Sequence, residues 1–171
     1  MGLPLRKFSV KSQIYGQIFI YLLTIVLISF ILVFGYNAIE NLRTKANQVE
    51  CLKFKNDLRN AIATISSDFG RIKRENIDLC QPYKQVCFVE TFEKFDKNNP
   101  QGNIPVDPII KDSIKSESGK NVFLVDNTAK EPFYAGNISV ALDVFCIKSI
   151  NGKIDLRLES MGSNVAVSQW A

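Results

Sequence analysis

The stretch from Ile18 to Tyr36, IFIYLLTIVLISFILVFGY, contains no charged residue. The uncharged run is longer still, from Ser12 to Ile39, between Lys11 and Glu40. A helix needs about 20 mostly apolar residues to cross ~30 Å of hydrocarbon at ~1.5 Å rise per residue. The chain meets that requirement here, and no later segment approaches it. The apolar core is longer than the roughly 7–15 residues of a cleaved secretory signal. Gly35-Tyr36-Asn37-Ala38 also fits a small-x-small cleavage site badly. The stretch is too long and too uniformly uncharged for an ordinary core helix. The expected element is a retained transmembrane helix over residues 13–39.

Charge sets its orientation. The net formal charge is +4, and Arg6, Lys7 and Lys11 supply three of those four charges, so the remainder sums to +1. Residues 1–12 thus form a basic arm, expected to stay cytoplasmic, with the following domain outside the membrane. Confining the excess charge to this arm argues against a nucleic-acid partner, which calls for basic residues clustered on the folded domain.

The remaining chain, residues 40–171, suits one modest exterior domain. Apolar residues recur at helical spacing through Ile39, Leu42, Ala46 and Val49, then through Cys51, Phe54, Leu58, Ile62, Ile65 and Phe69. A two-residue step from Val49 to Cys51 rotates the stripe by about 200° at ~100° per residue. The first part is expected to face neighbouring helices and the second to cover a sheet. The helix is expected over about 40–69, ending at Ser66-Ser67-Asp68-Phe69-Gly70.

A β-rich head is expected over 70–171. Arg71 to Leu79, Val86 to Thr91, Asn121 to Asp126, Phe133 to Leu142 and Val165 to Trp170 read as extended segments or strands. Asp107-Pro108 reads as an N-cap and first-turn proline of a short helix through about Ile114. Asn151-Gly152 lies between VFCIKSI and KIDLRLE and predicts a type I′ hairpin turn. Ile154, Leu156 and Leu158 would then line the buried face of the return strand. Met161-Gly162-Ser163-Asn164 marks a further turn. The fold class is α+β: a long N-terminal helix, membrane-bound in its inner half and amphipathic in its outer half, packed on a small antiparallel sheet.

All four cysteines, Cys51, Cys80, Cys87 and Cys146, lie beyond the span. An even count in an exterior domain predicts disulfides, and four cysteines allow three full pairings. One joins Cys80 to Cys87 across CQPYKQVC and leaves Cys51 to staple the helix to Cys146. A rival joins Cys87 to Cys146 as neighbours in the sheet. A zinc site is the other use of four cysteines, but there is no CxxC pair and no His.

Absence of His removes Ser-His triads, Cys-His dyads and most catalytic zinc sites. No GxGxxG, Walker A or GxSxG motif is present, and no cofactor is implied. The carboxylates that could pair for catalysis are Asp107 with Asp112, and Asp143 with Asp155 and Glu159. Asp155 and Glu159 fall on the wet face of a strand, Asp107 reads as a cap, and no enzyme is expected. Arg71-Ile72-Lys73-Arg74 is flanked by Asp68, Glu75 and Asp78 and reads as a solvated charged surface. Asn137-Ile138-Ser139 is an N-glycosylation sequon, with Ile138 suited to the core.

The basic arm, span, helix continuation and β head together resemble type IV pilins and pilin-like proteins, particularly archaeal ones. Lys11-Ser12 is followed by Gln13-Ile14-Tyr15-Gly16-Gln17-Ile18-Phe19. The resemblance implies that a prepilin peptidase cuts between Ser12 and Gln13. It also implies that other copies, or other pilin-like subunits, pack through the N-terminal helix. Gln17 would be the fifth residue after the cut, where many pilins carry a Glu used in assembly. Gln17 can hydrogen-bond but carries no charge. Gly16 and Gln17, at the cytoplasmic edge of the span, are the expected helix contacts, since small and polar residues mediate helix association in lipid. Thr24 and Ser29 are expected to bond to their own helix backbone. The alternative is a single-pass anchored exterior module that binds an unknown ligand.

Overall fold

The computed structural model describes residues 11–91 and 99–170, with side chains described from Gln17 onward. The chain divides into two compact units between Lys45 and Ala46. Helix α1, Lys11–Ser66, contributes to both. The second unit also holds β1 (Ile72–Asp78), β2 (Gln85–Val89), α2 (Pro108–Lys115), β3 (Val122–Val125), β4 (Ala129–Phe133), β5 (Ile138–Ser139), β6 (Val144–Lys148), β7 (Lys153–Ser160) and β8 (Val165–Gln169). The architecture is α+β as expected.

The head differs from the expected single sheet. Its strands form two four-stranded sheets, ordered β1-β7-β8-β5 and β4-β3-β2-β6. Every pair is antiparallel except β5 with β8. The physical reason lies at Asn151-Gly152. Both residues adopt positive φ, 54° and 74°, and Ile150 and Lys153 exchange backbone hydrogen bonds at 2.8 and 3.0 Å. The tight turn therefore forms, but the flanking strands separate at once. β6 joins the second sheet and β7 the first.

A second departure lies between Phe133 and Leu142, where one strand was expected. β4 ends at Phe133, and β5 is only two residues long. Gly136 bends the chain between them at φ 127°, and a Cβ there would lie 2.9 Å from the Ile62 side chain. Only glycine permits this approach of the connection to α1. Buried Asn121 holds the bend, donating to the Gly136 carbonyl at 2.6 Å and accepting from the Ala135 amide at 3.0 Å.

The main core forms where the outer part of α1 meets both sheets. Cys51, Phe54, Leu58, Ala61, Ile62 and Ile65 are all buried, following the expected stripe with Ala61 added. Phe69 departs from it and is 81% exposed, because the helix has ended at Ser66. From the sheets come Ile77, Ile154, Leu156 and Leu158 on one side and Val86, Phe88, Val122 and Leu124 on the other. The β7 residues alternate in burial as the sequence pattern requires. Polar contacts from α1 reinforce the packing: Lys55 pairs with Glu131 at 2.7 Å, and Arg59 donates to the Tyr134 carbonyl at 2.9 Å. Both cations lie over the Phe133 ring.

The second sheet is buried on both faces. Its other face packs Cys87, Phe123, Val125 and Cys146 against Ile110 and Ile114 of α2. Asp107 caps α2, accepting from the Ile109 amide at 2.8 Å, and Pro108 follows in the first turn. The second Asp107 oxygen accepts from the Ala129 amide at 3.1 Å, which ties α2 to β4.

The disulfides join Cys51 to Cys80 and Cys87 to Cys146. Neither the Cys80–Cys87 loop nor the Cys51–Cys146 staple forms. The rival sheet pairing is the one found, because β2 and β6 place Cys87 directly opposite Cys146. The Cys146 backbone turns away from β2 and bonds in both directions with the Asn103 side chain, each at 2.8 Å. The cysteines therefore form a non-hydrogen-bonded pair, the kind that brings opposing side chains closest. Cys80 follows β1 and meets the first buried turn of α1 at Cys51. No cysteine is left as a free thiol for a metal.

Candidate functional site

The surface with the clearest physical demand is the inner part of α1. From Gln17 to Lys45 every residue is exposed except Gly35, which is half-buried. Between Ile18 and Phe34 the exposed side chains are almost all large and apolar. The Thr24 hydroxyl donates to the Tyr21 carbonyl and the Ser29 hydroxyl to the Ile25 carbonyl, both at 2.8 Å. The hydroxyls are satisfied within their own helix, as expected, and the helix satisfies its own backbone. A segment of this kind presents hydrocarbon on every side and keeps its backbone, Thr24 and Ser29 bonded internally, as lying in lipid requires. Among the described residues this is the one helix long and apolar enough to cross a membrane.

The junction residues sit at its start. Ser12, Gln13 and Gly16 have helical backbone within α1, and Gln17 is exposed. Arg6 and Lys7 of the basic arm lie outside the described residues. Tyr21 and Tyr36 are exposed along the helix.

On the head, the expected charged surface is a set of ion pairs. Arg71 meets Asp68 at 2.6 Å, Lys73 meets Glu75 at 2.5 Å, and Arg74 meets Asp155 at 3.1 Å. Hydrogen bonds from Arg74, and then from Asn76, hold the Asp155 carboxyl below its ordinary pKa. Burial, with Glu131 nearby, pushes the Tyr83 phenol above its usual value. Two grooves of about 350 and 390 Å³ run beside the outer part of α1 and share Asp57 and Asp78 in their walls. Three of the wall residues are ion-paired: Lys73 with Glu75, and Asp78 with Lys153 at 3.2 Å.

Four of the candidate carboxylates, Asp107, Asp143, Asp155 and Glu159, are engaged in separate contacts. Asp107 uses both oxygens as a cap and tie, and Asp143 accepts from the Gln101 amide at 2.8 Å. Asp155 and Glu159 lie on β7, in the other sheet, where Glu159 pairs with Arg157 at 2.9 Å. Asn137 is exposed, next to the fully buried Ile138.

Three polar residues that organise the head escaped the sequence reading. Asn121 clamps the bend at Gly136. Asn103 covers the open edge of β6. Glu90 is buried and accepts from the Thr91 and Val140 amides at 3.0 and 2.7 Å. Their only sequence signal is a polar residue beside an apolar run, which marks many exposed positions equally well.

No family model matches the chain, no curated protein matches its sequence, and no solved structure matches its fold.

Proposed function

We propose that the protein is a pilin-like structural or assembly subunit of a cell-surface filament or secretion-type apparatus. In this reading its N-terminus is cytoplasmic and its head lies outside the membrane. Membrane lipid holds the subunit first, and other copies or pilin-like subunits then pack against its N-terminal helix. A prepilin peptidase cuts between Ser12 and Gln13. The observation that carries the reading is the change of surface along α1. The helix is apolar on every side through the span and then carries one buried stripe that serves as the spine of the head. Two disulfides in the head fit an oxidising exterior compartment. The protein has no catalytic role in this reading, and nucleic acid is not a partner.

Gln17 favours a second reading. It is exposed and uncharged where assembly calls for a carboxylate, which suits a permanently anchored exterior module that binds a ligand. Mass spectrometry of the N-terminal peptide from native membranes separates the two. A chain beginning at Gln13 is expected for the pilin-like subunit. A chain retaining Met1 or Gly2 overturns it in favour of the anchored module.

A further inference from the structure

The chain contains a single Asn-X-Ser/Thr sequence, Asn137-Ile138-Ser139. Its three residues occupy different environments. Asn137 is exposed, Ile138 is 0% exposed in the main core, and Ser139 is half-buried where β5 pairs with β8. The backbone is held on several sides. The Asn137 carbonyl accepts from the Val165 amide at 3.0 Å. The Thr91 hydroxyl accepts from the Ile138 amide at 3.0 Å and donates to the Ile138 carbonyl. The Asn137 side chain therefore stands outward on a fixed support. Its Oδ1 accepts from the Tyr134 hydroxyl at 2.5 Å. Its amide nitrogen makes no hydrogen bond to another described residue. Tyr134, 45% exposed, places an aromatic ring beside it.

We propose that Asn137 carries an N-linked glycan, attached before β5 docks into the head. The glycan's class follows from the acceptor: a sugar delivered on a phosphate-activated lipid at the exterior membrane face. The Asn137 amide nitrogen bonds to the anomeric carbon of that sugar. The bond from this carbon to the phosphate oxygen breaks, and the lipid phosphate leaves with the electron pair. One amide proton passes to a base of the transferring enzyme, and nothing is oxidised or reduced. The enzyme has to grip three successive residues, and the middle one is buried once the head closes. Transfer therefore precedes folding. Ile138 then inserts into the core while the sugar stays on the solvent side, against Tyr134.

This inference rests on the exterior placement of the head, and one peptide tests both. Trypsin releases Glu131–Lys148, which contains Asn137 and Cys146. In protein from native membranes, the reduced peptide is expected to carry sugar mass on Asn137. Asn137→Gln is expected to lose that mass entirely and to keep both disulfides, and Ser139→Thr to keep the mass. A bare wild-type peptide overturns the glycan. If Cys146 is still bonded to Cys87 in that bare sample, the exterior head survives; if Cys146 is a free thiol, both readings fall. Folded, disulfide-bonded, unmodified protein offered to the same membranes is expected to remain bare, and its modification overturns the stated order.

Discussion

The inner and outer parts of α1 are the same secondary structure with different surfaces. Leu42 on the inner part is 66% exposed, whereas Leu58 on the outer part is fully buried. Across the inner part no side can be called the buried one, and the apolar residues surround the axis. Across the outer part Cys51, Phe54, Leu58, Ala61, Ile62 and Ile65 keep to one side, while Lys53, Lys55, Asp57 and Arg59 take others. Helix-forming sequence is thus common to both, and the angular distribution of apolar side chains decides what each must contact. A helix apolar all round needs lipid or neighbours of its own kind, whereas a striped one needs a sheet.

The sharpest way to break this contrast is to charge the inner part. Leu27→Arg with Ile31→Arg adds about 2.5–3.5 kcal/mol per residue to insertion at a helix centre. The double variant is expected to leave the carbonate-resistant membrane fraction. Retention there would refute the assignment of this segment to lipid.

Next come the two disulfides, which belong to the head alone. Loop-closure entropy gives about 4.3 kcal/mol for Cys87–Cys146 and about 3.6 kcal/mol for Cys51–Cys80, from separations of 59 and 29 residues. Replacing each pair by Ala is expected to lower the head's thermal midpoint in that order and leave membrane association unchanged. A third comparison stays within α1. Leu58→Ala opens a cavity worth about 2–5 kcal/mol, whereas Leu42→Ala changes head stability by no more than about 0.5 kcal/mol. Denaturant titration in detergent reads both, and equal effects would erase the distinction between the two parts.

Smaller effects refine the head. Asp107→Ala removes the α2 cap and the tie to Ala129, with an expected loss of roughly 1 kcal/mol. The smallest concerns Asp155. Its folded pKa lies below the unfolded value of about 3.9, so its contribution is present above that pH and fades as pH falls through the folded value. The stability difference between wild type and Asp155→Asn should therefore be seen near neutral pH and close in acid.

Much of this was legible because single residues carried strong local signals. The long apolar helix, a candidate membrane span, followed from an unbroken absence of charge. The α2 cap followed from Asp107-Pro108, the turn at 151–152 from Asn-Gly, and the β7 faces from strict alternation. What stayed hidden depended on long-range placement. Asn-Gly specifies a turn but not which sheet each strand joins. The cysteine spacing suggested a short loop, yet the register of β2 on β6 determined the partner of Cys87. Phe69 continued the helical spacing of the stripe, but Ser66 ended the helix before its position could be buried. The candidate junction at Ser12 to Gln17 was read from residue types alone, and the helical backbone there is compatible with many single-pass anchors.

The turn at Asn151-Gly152 also bears on how the head folds. Because its two arms enter different sheets, four backbone dihedral angles set the phase of both at once. Inserting one residue there would invert the faces of one sheet relative to the other. Neither sheet can then settle its register independently, and the two are expected to melt as a single cooperative unit, with coincident amide-exchange protection across β2 and β7.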